Sequence, residues 1–222
     1  MSGRTQLVIF DMDGTLVNTE PLYKKHIVAL VAEWGARITG EEFDRYVGME
    51  ARMMWNTIKE THQLSLSVES MRFTYRSRIF DYLENNPIPV VQGVESLLEV
   101  LESKRIACCI GSSATHRSIN LLLGKTGLRR FFNRQFSGEE VAQGKPAPDI
   151  FLKAAWYYRM APQACLVIED SRNGVLAAKA AGMRCVAFQN PDSGCQDLQP
   201  ADLIVESFDS ANRQKIMRLM EE

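Results

Sequence analysis

The chain has 222 residues, 45% hydrophobic and 24% charged, with a formal net charge of −1. That balance is ordinary for a globular protein, and its charge gives no pull toward nucleic acid or a membrane surface. No apolar run reaches the ~18 residues of a membrane-spanning helix, and the length permits one large domain or a core with a smaller insert.

The first expected element is a buried strand, Leu7 to Phe10, which delivers two carboxylates, Asp11 and Asp13, at its carboxyl end. Ligands of open α/β sheets bind just past the carboxyl ends of the strands. Two acids separated only by Met12 repel unless a cation or a shared proton offsets their charge. Gly14 then lets the chain turn sharply. A strand end of this kind suits a metal-assisted nucleophile, although Asp-Gly-Thr by itself is also a common turn. The start of a strand at Leu7 leaves no room for a signal peptide ahead of it.

Residues 18–90 carry no convincing strand. Ile27, Leu30, Val31 and Trp34 keep helical spacing, and Thr39 with Glu42 has the spacing of a capping box opening a second helix. Met54, Ile58 and Thr61 suggest a third helix, and Val68, Met71, Tyr75, Ile79 and Tyr82 line one face of a fourth. Pro87 and Pro89 then punctuate the return. The expectation is a helical insert over 18–90, able to lie over the site as a lid, between core segments 1–17 and 91–222.

From about residue 92 strands and helices alternate. Helix 93–103 precedes a strand at Ile106 to Ile110, and a helix near 115–124 precedes a weaker strand at Phe132–Phe136. Helix 148–159 leads to strand Cys165–Ile168, helix 172–181 to strand Cys185–Phe188, and a last short strand is expected at Leu203–Val205. This rhythm predicts an α/β fold: a doubly wound, mostly parallel, Rossmann-like sheet with an inserted α-helical cap. The five cysteines (Cys108, Cys109, Cys165, Cys185 and Cys195) have no metal-ligand spacing, and most lie in apolar runs. They fit a reducing, cytoplasmic setting.

Three more strand ends carry chemistry. Strand 106–110 runs into Gly111-Ser112-Ser113 and then a helix start, which can serve an anion or be an ordinary helix cap. Lys145 lies in the proline-stiffened stretch Gly144-Lys145-Pro146-Ala147-Pro148-Asp149, where it can act as a fixed positive charge. Strand 165–168 ends in Glu169-Asp170. Asp11, Asp13, Glu169 and Asp170 form an oxygen-only set, which suits Mg²⁺ rather than zinc or iron.

In this order the four elements resemble the sequence motifs of the haloacid dehalogenase superfamily, across the whole chain. The position and helical pattern of the insert look like the small cap of its subgroup containing β-phosphoglucomutase and many sugar-phosphate phosphatases. The resemblance implies that Asp11 is a nucleophile forming an aspartyl-phosphate, and that Asp13 is the acid and then the base. Asp11, the Asp13 carbonyl, Asp170 and Glu169 would hold Mg²⁺, while Ser112, Ser113 and Lys145 would hold the transferring phosphoryl group. It also places substrate contacts in the loop Val47 to Arg52, with Gly48 and Arg52 as candidates, Arg76 and Arg78 as weaker ones, and a hinge at Glu20-Pro21. An acid at Asp13 is absent from the dehalogenases of this superfamily, so phosphoryl transfer is implied.

The resembling mutases carry a His where this chain has Tyr23, and a cap Lys for which no clear counterpart is found. The expectation is therefore a Mg²⁺-dependent phosphatase acting on a small phosphorylated metabolite, a sugar phosphate, as a cytoplasmic monomer without nucleic-acid or membrane partners. A phosphosugar mutase and an inactive metabolite-binding protein are the alternatives.

Overall fold

The computed structural model describes residues 4–46 and 51–222. Six strands form one parallel sheet: β1 (Leu7–Phe10), β2 (Ala107–Ser112), β3 (Arg134–Ser137), β4 (Cys165–Glu169), β5 (Arg184–Phe188) and β6 (Leu203–Val205). Their spatial order is β3-β2-β1-β4-β5-β6, so the first strand made lies mid-sheet. It pairs with β2 in the register Leu7↔Ala107 and with β4 in the register Leu7↔Cys165. Every residue of β1 is fully buried, as a strand covered by helices on both faces must be.

The helices following the insert are α5 (Val94–Ser103), α6 (His116–Thr126), α7 (Asp149–Tyr158), α8 (Arg172–Ala180) and α9 (Ser210–Glu221). One sheet face packs Val8, Phe10, Ile110 and Ile168 with α5, α6 and α9; the other packs Leu7, Ile9 and Val167 with α7 and α8. The parallel sheet and the positions of all six strands match the sequence reading within a few residues. The one expected strand that shifts is Phe132–Phe136, because Leu128–Phe131 forms a 3₁₀ turn that draws Phe131 and Phe132 into the core before β3 begins. Helix α9 has no counterpart in the sequence reading. Its buried stripe is only Ile216 and Met220, too short a period to stand out.

Between β1 and α5 lie four helices: α1 (Glu20–Glu33), α2 (Gly40–Asp44), α3 (Ala51–Thr61) and α4 (Val68–Asn85). Ile27, Val31, Trp55, Ile58 and Met71 form an apolar cluster belonging to these helices. The insert is not wholly self-contained, since Ile79 and Leu83 at the far end of α4 join the core of the sheet. The capping box at Thr39 is half formed. Thr39 accepts from the Glu42 backbone N–H, but the Glu42 carboxylate accepts from Tyr46 and contacts His62 instead. The two chain crossings run side by side: Asn18 N–H donates to Pro89, Val91 N–H donates to Leu16, and Val17 bridges Val90. The crossing therefore precedes Glu20-Pro21, which form the first turn of α1 rather than a hinge.

Four cysteines, at 108, 109, 165 and 185, are buried, while Cys195 is exposed. Burial pushes the Cys108 thiol up to about 12 and the Cys165 thiol up to about 11. A thiol reagent at pH 8 is expected to modify one cysteine per chain quickly and the other four only on unfolding. Two or more fast thiols, counted by absorbance, would contradict this packing.

Candidate active site

The centre of the site is a buried ion triplet. Asp11 follows the last residue of β1, and Glu169 is the last residue of β4, so adjacent strands bring the two carboxylates together. Lys145 lies between them, its Nζ 2.5 Å from Asp11 Oδ1 and 2.6 Å from Glu169 Oε1, with only 6% of its side chain exposed. The other Glu169 oxygen accepts from the backbone N–H groups of Asp170 and Ser171 and from the Ser171 hydroxyl. Glu169 thus has both oxygens committed to protein donors.

Burial pushes Asp11 up to about 8; Lys145 works against the rise, while Glu169 and Asp13 add to it. The two carboxylates in turn hold Lys145 as an ammonium, raised above its ordinary value despite its own burial. Asp11 thus sits in a dry cluster where one ammonium serves two acids.

Asp13, two residues on, is held from the insert. The Tyr23 hydroxyl donates to its Oδ1 at 2.5 Å and the Thr19 hydroxyl donates at 2.7 Å. Burial raises the Asp13 carboxyl, and these two hydrogen bonds lower it by less. Asp170 accepts from Thr15 at 3.0 Å and from Ser193 at 2.6 Å, and burial raises it well above the usual carboxylate range. Gly14 has φ of +82° and runs so close to the Asp170 carboxylate that a Cβ there would overlap it. Only glycine meets both conditions. Asn190 fastens this turn from the loop after β5, donating to the Gly14 carbonyl at 2.8 Å.

Ser112 ends β2 and is buried, its Oγ accepting from Ala114 N–H at 3.1 Å, while Ser113 is exposed; both line the same cavity as Asp11. The start of α6 is itself occupied: Thr115 caps Ser118 N–H, and Glu139 takes His116 N–H. The Ser112–Ser113 turn faces the cavity, while the His116 and Ser118 N–H groups of the helix start have protein partners.

That cavity measures about 490 Å³, and its roof comes from the insert: Glu20, Ala51, Arg72 and Arg76. Of the arginines read from sequence, only Arg76 reaches it. Arg52 is exposed and pairs with Glu69 at 3.3 Å, and Arg78 pairs with Glu33. Neither lines this cavity, because each has an acid of its own on the helix surface. Gly48 and its loop neighbours 47–50 fall outside the described residues. Arg72 was missed by the sequence reading, although it lies one turn before Arg76 on α4, a spacing that puts both on one face.

The sequence profile of haloacid dehalogenase-like hydrolases matches residues 8–188. The chain belongs to that family. A phosphorylated carbohydrates phosphatase of Thermotoga maritima is 32% identical over 182 residues, covering 80% of this chain and 82% of that protein. The fructose-1-phosphate phosphatase YqaB of Escherichia coli is 31% identical, covering 81% and 94%. A β-phosphoglucomutase structure from Clostridium difficile superposes with a TM-score of 0.79 over 97% of this chain and 98% of that one, at 24% identity, a likeness of fold.

Among haloacid dehalogenase-like hydrolases this chain stands with the phosphoric monoester hydrolases. Its four motif positions converge on one cavity, as the strand order requires. The groups that hold the acids, Thr15, Thr19, Tyr23 and Ser193, were not read from sequence as site residues. Single hydroxyls carry no pattern until the fold places them. Among the described residues no helix is long and apolar enough to cross a membrane.

Proposed function

We propose that this protein is a Mg²⁺-dependent phosphatase that hydrolyses a small phosphorylated metabolite, a sugar phosphate, through an aspartyl-phosphate on Asp11. The observation carrying this reading is the placement of Asp11 against the buried Lys145 with Asp13 held beside it. That arrangement supplies a nucleophile, a fixed charge and an acid/base within one cavity.

The donor set fits Mg²⁺. It is all oxygen, and one ammonium faces the carboxylates of Asp11 and Glu169, with Asp170 adjoining, which leaves negative charge for a hard cation to offset. Among the described residues no three acids converge as a metal cluster; Lys145 lies on Asp11 and Glu169, Ser193 on Asp170 and Tyr23 on Asp13. The residues that would hold Mg²⁺ are Asp11, Asp13 through its carbonyl oxygen, Asp170 and Glu169, the set that the family resemblance implies. Mg²⁺, when bound, would offset charge on the transferring phosphoryl group and fix its oxygens.

Asp11 attacks phosphorus, and the bond from phosphorus to the leaving oxygen breaks as that oxygen takes the Asp13 proton. A water then attacks the aspartyl-phosphate. Asp13 takes the water's proton, the bond from phosphorus to Asp11 breaks, and inorganic phosphate leaves. A raised Asp13 carboxyl suits both turns, because it carries a proton closer to neutral pH than a free Asp does. Ser112, Ser113 and Lys145 hold the phosphoryl oxygens. Residues 18–90 act as a cap whose closure keeps out competing water. Tyr23 favours hydrolysis over mutase chemistry: it is bound to Asp13, where the resembling mutases place a histidine.

Phosphate release from a panel of sugar phosphates tests the reading. Turnover that needs Mg²⁺ is expected, and no release from any member with Mg²⁺ present would overturn it. Tyr23→Phe removes a bond that favours the charged form of Asp13, so the Asp13 carboxyl should rise further. Both limbs of the pH–rate profile are then expected to move to higher pH, with kcat reduced more than KM changes. A profile identical to wild type would show that Tyr23 does not act through Asp13.

A further inference from the structure

Beyond the acids at the strand ends, the insert side of the cavity holds polar groups that nothing among the described residues satisfies. Arg72 and Arg76 project from one face of α4, and neither makes a hydrogen bond or ion pair among the described residues. The carboxylates nearest the nucleophile cannot serve them, since Asp11 and Glu169 are bound to Lys145, and Asp170 to Thr15 and Ser193. Glu20 lines the cavity too, without a hydrogen-bond partner, and the charge acting on it is that of Asp13 rather than either guanidinium.

The same three side chains also line a second, adjoining space of about 210 Å³, walled by Tyr23, Tyr75 and Trp55. The arginines therefore stand between the catalytic cavity and an aromatic chamber. The phosphoryl end of a substrate already has Lys145 and the Ser112–Ser113 turn, so the two guanidiniums face its far end.

We propose that Arg72 and Arg76 form a second anion subsite, so that the substrate is a polyhydroxylated phosphomonoester bearing another phosphate or a carboxylate at its far end. This rests on the phosphatase reading and narrows its substrate class. Glu20 receives the hydroxyls of the chain between the two anions. A guanidinium gains far more from a carboxylate or phosphate, which it can meet with two parallel hydrogen bonds, than from a neutral hydroxyl. Arg72 is half-buried and Arg76 exposed, so with a neutral leaving group both keep only water as a partner. Glu20 lies on the Asp13 side, where it repels an anion and accepts a hydroxyl, which sets the order of groups along the ligand.

The test uses matched ligands with three to six carbons, each as a monophosphate, a bisphosphate and a phosphorylated acid; at six carbons these are glucose 6-phosphate, glucose 1,6-bisphosphate and 6-phosphogluconate. Binding to the Asp11→Asn protein with Mg²⁺ is measured by calorimetry, and kcat/KM with wild type. At one chain length a doubly anionic ligand is expected to bind at least about tenfold tighter than its monophosphate. The bisphosphate and carboxylate arms tell which anion is preferred. Arg72→Gln with Arg76→Gln should erase that preference while the unfolding midpoint stays unchanged. Absence of preference at every chain length, or a preference that survives both substitutions, overturns the proposal. Turnover of monophosphates without preference would do so while leaving the phosphatase reading intact; absence of both binding and turnover would overturn both.

Discussion

Asp11→Asn is expected to lower phosphate release by at least about 10⁴-fold, the scale seen when a nucleophile is removed and positioning groups remain. The substitution keeps the shape of the side chain and removes the atom charge that attacks phosphorus. Folding should survive, because Lys145 keeps Glu169 as a partner at 2.6 Å and one member of a crowded acid cluster is gone. Substrate binding should also survive, since less negative charge then faces the incoming phosphate. Single-turnover measurements check this, and a loss below about tenfold would remove Asp11 from the role of nucleophile.

Lys145→Ala should damage both stability and turnover. It leaves two carboxylates buried at the strand ends with no ammonium between them; Asp11 is already raised to about 8 with Lys145 present. Breaking a buried pair in this way costs about 3–5 kcal/mol, or roughly 6–20 °C in unfolding midpoint for a chain of this size. The carboxylates can escape part of that cost by taking up a proton. Their folded-state affinity for protons then exceeds that of the unfolded chain, so the variant loses stability as pH rises through the folded value of Asp11. Its deficit relative to wild type should be smaller at pH 5 than at pH 8. Turnover should fall about 10³-fold from the loss of a fixed charge facing the phosphoryl group. A thermal scan showing an equal deficit at both pH values would mean that the cluster is not the cause.

The architecture was legible because parallel strands covered on both faces read as short apolar runs, and Leu7–Phe10, Cys165–Ile168 and Cys185–Phe188 are clear examples. The acids of the candidate site were legible because each stands at the end of such a run. Arg52 pairs with Glu69 rather than lining the cavity, because a helical arginine reaches any acid within one turn or across a neighbouring helix. Tyr23 was noted only for the histidine it replaces. That its hydroxyl reaches Asp13 depends on the tilt of α1 against β1, which no local pattern encodes. Ser193 and Asn190 come from a loop more than 170 residues from the Gly14 turn, and only the sheet order brings them there.

The position of β1 has a consequence during synthesis. Its first lateral partner begins at Ala107, about 100 residues after Leu7, and its second at Cys165. At a ribosomal rate of about 5–20 residues per second, β1 waits roughly 5–20 s with both backbone edges open. The four helices of the insert emerge and can collapse on one another in that interval, while the strand leading to Asp11 still lacks a neighbour. The earliest strand to leave the ribosome is thus the one that waits longest for its neighbours, and a holding chaperone that reads Leu7–Phe10 has that interval in which to act.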